Sequence, residues 1–128
     1  MLSFAGSLKV FLAVEPCDMR KGFEGLTALV AERLRENLRG GGTLFVFTNK
    51  SRTRLKVLYW DGSGLWICSK RLEKGRFSWP VQGDEQGRVR MSSEELTLLV
   101  SGIELSQSRR KDWYRKEIVE AGVEKPGD

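Results

Sequence analysis

Residues 8–14 are almost continuously apolar and rich in β-branched and aromatic types, and Pro16 follows closely, so the chain is expected to open with a buried strand that turns there. Asp18 then precedes Phe23, Leu26, Val30 and Leu34, which recur at i, i+3, i+7 and i+11. That spacing predicts a helix over 18–38 with Asp18 as N-cap, Leu29 and Leu38 beside the apolar stripe, and Glu24, Arg35 and Arg39 facing water. The run Gly40-Gly41-Gly42 is the expected stop. Residues 43–48 (Thr-Leu-Phe-Val-Phe-Thr) read as a short buried strand. Residues 54–60 and 65–72 flank Asp61-Gly62-Ser63-Gly64, the clearest hairpin signal in the chain. Period 2 sets Arg52, Arg54, Lys56, Leu58 and Trp60 on one face and Leu55, Val57 and Tyr59 on the other.

A further short strand is expected around 76–79, ended by Pro80, and an edge strand at 88–91. Ser92-Ser93-Glu94-Glu95 is a capping box that starts a short helix carrying Leu96, Leu99, Val100 and Ile103, with Gly102 at its end. From Ser106 onward charge dominates and no apolar stripe is sustained, apart from a marginal helical turn or two near 113–119. The expected fold class is therefore α+β: a mostly antiparallel sheet of about five strands, one long helix packed on a face, and a short C-terminal helix. Residues 1–105 are expected to form a single domain and 106–128 a charged, flexible tail; the 128-residue length suits one domain with its own core.

Composition narrows the function. With 40% hydrophobic and 30% charged residues the chain reads as an ordinary globular protein. The longest apolar run, residues 10–14, is far short of the roughly 20 that span a bilayer, and no signal-peptide pattern is present, so a cytoplasmic protein without a membrane partner is expected. Cys17 and Cys68 suit free thiols in a reducing compartment, each small and buried or half-buried. The absence of histidine removes the commonest general base, imidazole-dependent triads and every histidine-containing metal site. Asp18, Asp61 and Asp84 show no spacing that would converge on a divalent metal, and Asp61 reads as a turn residue. No catalytic residue, metal ligand or cofactor is expected.

Charge is uneven. Of the net +5, residues 50–76 alone carry +6, from Lys50, Arg52, Arg54, Lys56, Lys70, Arg71, Lys74 and Arg76 against Asp61 and Glu73. Tyr59, Trp60, Trp66, Phe77 and Trp79 are interleaved with them, a mixture that suits phosphates and exposed bases. The plain alternative is a set of solvated strand faces over an aromatic core. Trp60, Trp66 and Trp79 fit packing better than base stacking, although Trp66 fits either role. A second candidate is the string Asp18-Met19-Arg20-Lys21-Gly22-Phe23-Glu24-Gly25. Cations in a first helical turn oppose the macrodipole, and Gly22 and Gly25 weaken a helix, so Arg20 and Lys21 there suggest an anion site at a helix N-terminus. If the helix instead begins near Phe23, the two cations lie in a solvated loop or pair with Glu24.

Five stretches in order carry a family resemblance: Val10-Phe11-Leu12-Ala13; Asp18-Met19-Arg20-Lys21-Gly22-Phe23-Glu24-Gly25-Leu26; Leu44-Phe45-Val46-Phe47; Arg54-Leu55-Lys56-Val57-Leu58-Tyr59-Trp60-Asp61-Gly62-Ser63-Gly64-Leu65; and Lys70-Arg71-Leu72-Glu73-Lys74-Gly75-Arg76-Phe77-Ser78-Trp79-Pro80. Over roughly residues 8–104 the chain resembles the small second-reading-frame accessory proteins of the insertion-sequence-sixty-six family of bacterial transposable elements. Ser69 stands where that family often has an aromatic, and the tail after Ser106 lies outside the pattern. The resemblance implies a role in DNA transposition beside a separate transposase that holds the catalytic acids. Joined to the charge pattern, it leads to the expectation of a non-enzymatic accessory protein that binds DNA, most naturally element ends. The contacts expected are Arg20, Lys21, Lys50, Arg52, Arg54, Lys56, Lys70, Arg71, Lys74 and Arg76. The competing expectation is an adaptor that docks on the transposase without binding DNA itself.

Overall fold

The computed structural model describes residues 8–102. In chain order it contains β1 (Lys9–Ala13), α1 (Phe23–Glu32), a 3-10 turn (Leu38–Gly40), β2 (Thr43–Thr48), β3 (Arg54–Trp60), β4 (Leu65–Arg71), β5 (Arg88–Met91) and α2 (Ser93–Val100). The strands form one sheet in the order β4-β3-β2-β1-β5. The fold is α+β, as expected, but the sheet is mixed rather than mostly antiparallel. β1 and β2 run parallel, with Val10 beside Leu44 and Leu12 beside Val46. The reason is the crossover: a connection that contains a helix returns the chain to the same end of the sheet, which a short hairpin cannot do.

Central β2 is buried at all six positions and divides the interior in two. On one face Phe45, Phe47, Ala13 and Leu58 pack against Leu26, Val30 and Leu34 of the α1 region and Leu38 of the 3-10 turn. On the other, Val10, Leu12, Leu44, Val46 and Leu55 pack against Leu99 of α2 and against Phe77 and Trp79. Each fully buried large aliphatic or aromatic side chain contributes about 1.5–3 kcal/mol by leaving water, so neither layer is dispensable.

The helix expected over 18–38 is only ten residues long, Phe23–Glu32. Asp18 does not cap it. Its Oδ1 accepts from the backbone N–H of Arg20 at 2.8 Å, two residues on, and its carbonyl accepts from Lys21 at 3.1 Å. That turn consumes the carboxylate before the helix begins, and Gly22 becomes an N-cap without a side-chain bond. Phe23, expected on the buried stripe, is 49% exposed. At the other end the chain leaves the helix through Arg35 in a left-handed conformation (φ 59°), well before the glycine run.

The strand expected at 76–79 is absent. The segment is an apolar plug: Phe77 N–H donates to the Arg52 carbonyl at 2.7 Å, Trp79 Nε1 donates to the Ala13 carbonyl at 3.0 Å, and both rings are buried. β5 forms as expected and pairs antiparallel with β1. The capping box at Ser92 and Glu95 is present with both reciprocal hydrogen bonds. Gly102, at φ 79°, takes the left-handed position that closes α2 at little steric cost. The expectations for Ile103, the tail and residues 113–119 lie outside the described residues.

Candidate nucleic-acid interface

The carboxyl ends of β1 and β2, the start of β3 and the end of β4 lie at one end of the sheet, and loops from each meet there. The β1–α1 loop is anchored by the Cys17 N–H, which donates to the Thr48 carbonyl at the end of β2 (2.9 Å). The β2–β3 turn is organised by Asn49. Its Oδ1 accepts from the N–H groups of Thr53 (3.0 Å) and Arg54 (3.1 Å), and its Nδ2 donates to the hydroxyls of Ser51 and Thr53. Buried Thr48 adds a bond from Oγ1 to the Arg54 carbonyl at 2.9 Å. The turn is thus braced, with Lys50 exposed and Arg52 half-buried. Arg52 sits at φ 61°, a left-handed conformation that costs a non-glycine residue about 1–2 kcal/mol.

Most of the expected cations collect at this end. Arg54 and Arg71 are directly opposed on β3 and β4, on the α1 side of the sheet and both exposed. Lys56 is next along that face, opposite Ser69. Arg20 and Lys50 join Arg54 around a shallow cleft of about 490 Å³, walled also by Cys17, Asp18, Met19, Asn49 and Ser51. Arg52 and Arg76 are brought near each other by the bond from Phe77 to the Arg52 carbonyl, and Lys74 lies in the exposed turn that leads there. Like charges directly opposed across two strands are unfavourable by roughly 0.2–1 kcal/mol. Glu73 approaches Arg71 only at 3.9 Å and is highly exposed, so it offsets little. Among the described residues no ion pair engages Lys50, Arg52, Arg54, Lys74 or Arg76.

Two of the expected contact lysines also bond to the fold. Lys56 Nζ donates to the Lys21 carbonyl at 2.8 Å, tying β3 to the loop before α1. Lys70 lies on the opposite face, where its Nζ donates to the Val100 carbonyl at the end of α2 (2.8 Å). Arg20 and Lys21 do not lie in the first turn of a helix as the anion-site expectation required; α1 begins at Phe23 and both cations precede it in a loop, the alternative placement. Arg20 forms a fork with Asp18, Nη2 to Oδ2 at 2.7 Å, and its side chain is 91% exposed. That pairing, with the Arg20 N–H bond, holds the Asp18 carboxyl down at about 2. Lys21 crosses the start of α1 where Gly25 leaves room, since a Cβ there would meet Lys21 Cβ and Cγ at 3.0 Å.

Several other charged groups are engaged away from this end or in their own turns. Arg88 donates to Glu36, Asp84 and the Leu34 carbonyl and lies over the Phe11 ring; Arg39 lies 4.7 Å from the Trp60 ring centroid. Each candidate aspartate serves its own turn. Asp61 accepts from the N–H groups of Ser63 and Gly64 and from Trp66 Nε1 (2.7 Å), which hold its carboxyl at about 2. Asp84 accepts from Gln86 and Arg88. Among the described residues no group of three or more acidic or cysteine side chains could hold a metal ion, and no helix is long and apolar enough to cross a membrane.

Of the tryptophans, Trp79 is core, Trp60 packs on the α1 side and Trp66 is 48% exposed. Both cysteines are free, Cys17 half-buried and Cys68 exposed rather than buried or half-buried as expected. Sequence reasoning missed Asn49, Ser51 and Thr53. Their alternation of short polar side chains between two apolar runs was the available signal of a self-bonded turn.

The family described as "IS66 Orf2 like protein" matches residues 8–110. An uncharacterized protein y4jC of Sinorhizobium fredii is 40% identical over 111 residues, 87% of this chain and 92% of that protein. A second uncharacterized protein of that organism, y4hO, is 40% identical over 104 residues, covering 81% and 88%. No solved structure matches. The match takes in both sheet layers and every loop of the basic end, and on it the chain belongs to the IS66 Orf2-like family of transposition-associated accessory proteins.

Proposed function

We propose that this protein is a non-enzymatic accessory component of transposition that binds DNA through the basic end of its sheet. The observation that carries the reading is the directly opposed, exposed pair Arg54 and Arg71, with Lys50 and Arg20 sharing the cleft beside Arg54. A fold gains nothing from placing two cations face to face, and a left-handed arginine at position 52 is a second local cost at the same place. Polyanion binding explains both: counterion release on phosphate contact rewards cations held close together, and a braced turn holds them without further ordering cost. The groups that engage DNA are Arg20, Lys50, Arg52, Arg54, Arg71, Lys74 and Arg76. Lys21, Lys56 and Lys70 support the surface through the bonds they make or border.

The exposure of Trp66 and Phe23 supports the second reading, an adaptor that docks on the transposase. Titration of a labelled duplex of element-end sequence, with and without the transposase, separates the two. Binding by the lone protein at moderate salt supports direct contact. A complex that forms only in the presence of transposase refutes it in favour of the adaptor.

A further inference from the structure

We infer that the protein self-associates by antiparallel pairing of β4 with β4 of a second copy, in a register centred on Cys68. Among the described residues β4 is an open edge of the sheet, seven residues long, without proline or bulge. The other edge, β5, is only four residues long, and its first residue, Arg88, is tied to Glu36 and Asp84. Natural sheets normally shorten, cover or charge their edges; β4 is charged only in its second half, at Lys70 and Arg71, so its length is open to pairing in a register that keeps those charges apart.

The hydrogen-bond phase of the hairpin determines which groups that edge offers. Asp61 N–H donates to the Gly64 carbonyl at one end, and Leu72 N–H donates to the Thr53 carbonyl at the other. With the register Tyr59–Trp66, Val57–Cys68 and Leu55–Lys70, both bonds belong to one alternation. Trp66, Cys68 and Lys70 therefore spend their backbone groups on β3, while Leu65, Ile67, Ser69 and Arg71 direct theirs to the open side.

The strand is asymmetric in charge about Cys68. Its first half is apolar (Leu65, Trp66, Ile67) and its second polar and cationic (Ser69, Lys70, Arg71). An antiparallel pair centred on Cys68 sets Ile67 against Ser69, Trp66 against Lys70 and Leu65 against Arg71. The outward groups of each copy then meet those of the other, for about eight backbone hydrogen bonds. Trp66 is held in place by its bond to Asp61, and the aliphatic stem of Lys70, whose ammonium is bound at the end of α2, lies beside it. The two Lys70 residues stand about 14 Å apart, beyond the 8–10 Å over which charges interact at ordinary salt. Centring on Ser69 would bring them to about 7 Å, and parallel pairing would stack them directly. Centring on Ile67 would run Arg71 past the strand into the Ser63 turn. The open edge, apolar in one half and cationic in the other, accommodates a second copy, and the separation of like charges selects the register. A single strand pair buries less than the roughly 800 Å² per partner of a standard interface, so assembly is concentration-dependent. The inference does not depend on what the basic end binds.

The test uses the full chain with Cys17→Ser, leaving Cys68 as the one thiol. Sedimentation velocity from about 1 to 200 μM, around the micromolar range typical of weak interfaces, should show a monomer–dimer equilibrium. Copper phenanthroline with oxygen, which takes two electrons and two protons from a thiol pair, should link Cys68 to its counterpart. The two Cα atoms would stand about 4.5 Å apart in a non-hydrogen-bonded pair, within disulfide reach. Moving the thiol to the end of the strand (Cys68→Ser with Arg71→Cys), which keeps Lys70, should slow linking at least tenfold, because the two copies of that position stand about 20 Å apart. Ser69→Pro removes an outward N–H and should abolish the dimer with an unchanged circular dichroism spectrum. A monomer throughout the range, a dimer that links no faster at 68 than at 71, or a dimer indifferent to a folded Ser69→Pro variant would each overturn the inference. Should that variant unfold, the comparison of the two thiol positions decides alone.

Discussion

Replacing Arg54 by glutamine should leave the protein at least as stable and make it bind DNA less well. Arg54 and Arg71 are directly opposed on β3 and β4. Their backbones form a non-hydrogen-bonded pair, with Cβ atoms about 4.5–5.5 Å apart. With guanidinium groups about 7 Å apart in a near-aqueous dielectric of about 60–80, the repulsion is about 0.6–0.8 kcal/mol before screening. Salt at 0.15 M, with a Debye length of about 8 Å, reduces that to a few tenths. Arg54→Gln and Arg71→Gln should each stabilise by about 0.3–0.7 kcal/mol in urea melts at low salt, fading at 0.2 M. The double variant should gain no more than either single one, because the repulsion can be removed only once. Anisotropy titrations with duplex should show each single variant weakened, and weakened most at low salt. A loss of more than about 1 kcal/mol in either single variant, typical of a lost cap or packing contact, would refute the reasoning. It would mean that these arginines serve the fold.

Three further outcomes follow from particular geometries. Arg52→Gly should relieve the left-handed strain at φ 61° and lose about as much to backbone entropy. Its net stability change, read in the same melts, should stay within about 0.5 kcal/mol while DNA affinity falls. The Asp61 carboxyl, held at about 2 by the Ser63 and Gly64 N–H groups and the Trp66 indole, has a folded pKa below its unfolded one. Its contribution is therefore complete above roughly pH 4 and lost as pH falls through about 2. The Trp66 indole N–H resonance should titrate with that low midpoint, and a midpoint near 4 would show the bonds are not made. Ser92→Ala removes the side-chain acceptor of the α2 capping box and should cost about 1 kcal/mol in thermal or urea unfolding without affecting DNA binding.

The strands were legible because period and turn chemistry agree along them. Residues 43–48, 54–60 and 88–91 are strands with those bounds, and the Ser92 capping box fixed the start of α2. The ends of α1 were not legible, for two local reasons. Asp18 has the same preference for an N-cap and for a turn that bonds its own second neighbour, and the Arg20 N–H won. Arg35 then takes the left-handed closing position usually given to glycine, so no residue type marks the stop. The mixed sheet follows from a helix between the first two strands, a connection that favours parallel pairing; the run of hairpin signals after it masked that inference. Phe77 and Trp79 have strand-like composition yet serve as a plug, since a buried aromatic needs packing but not a ladder. At the candidate site, charge density along the sequence anticipated that Arg54 and Arg71, with Arg20 and Lys50, collect at one end of the sheet. It could not show that Lys56 and Lys70 are spent on backbone carbonyls, because those acceptors come from distant segments.

The salt dependence of duplex binding tests the central claim most directly. Contact of about four to six phosphates by the cations of this end predicts that log K falls against log salt with a slope of about −4 to −5. Affinity should then drop a few hundred-fold, as an order of magnitude, between 50 and 200 mM salt. Replacing Arg54 and Arg71 together with glutamine should flatten the slope by roughly 2, one unit per lost phosphate contact. A slope near −1, or a slope unchanged by the double substitution in a folded protein, would contradict the assignment of the basic end as the DNA-binding surface.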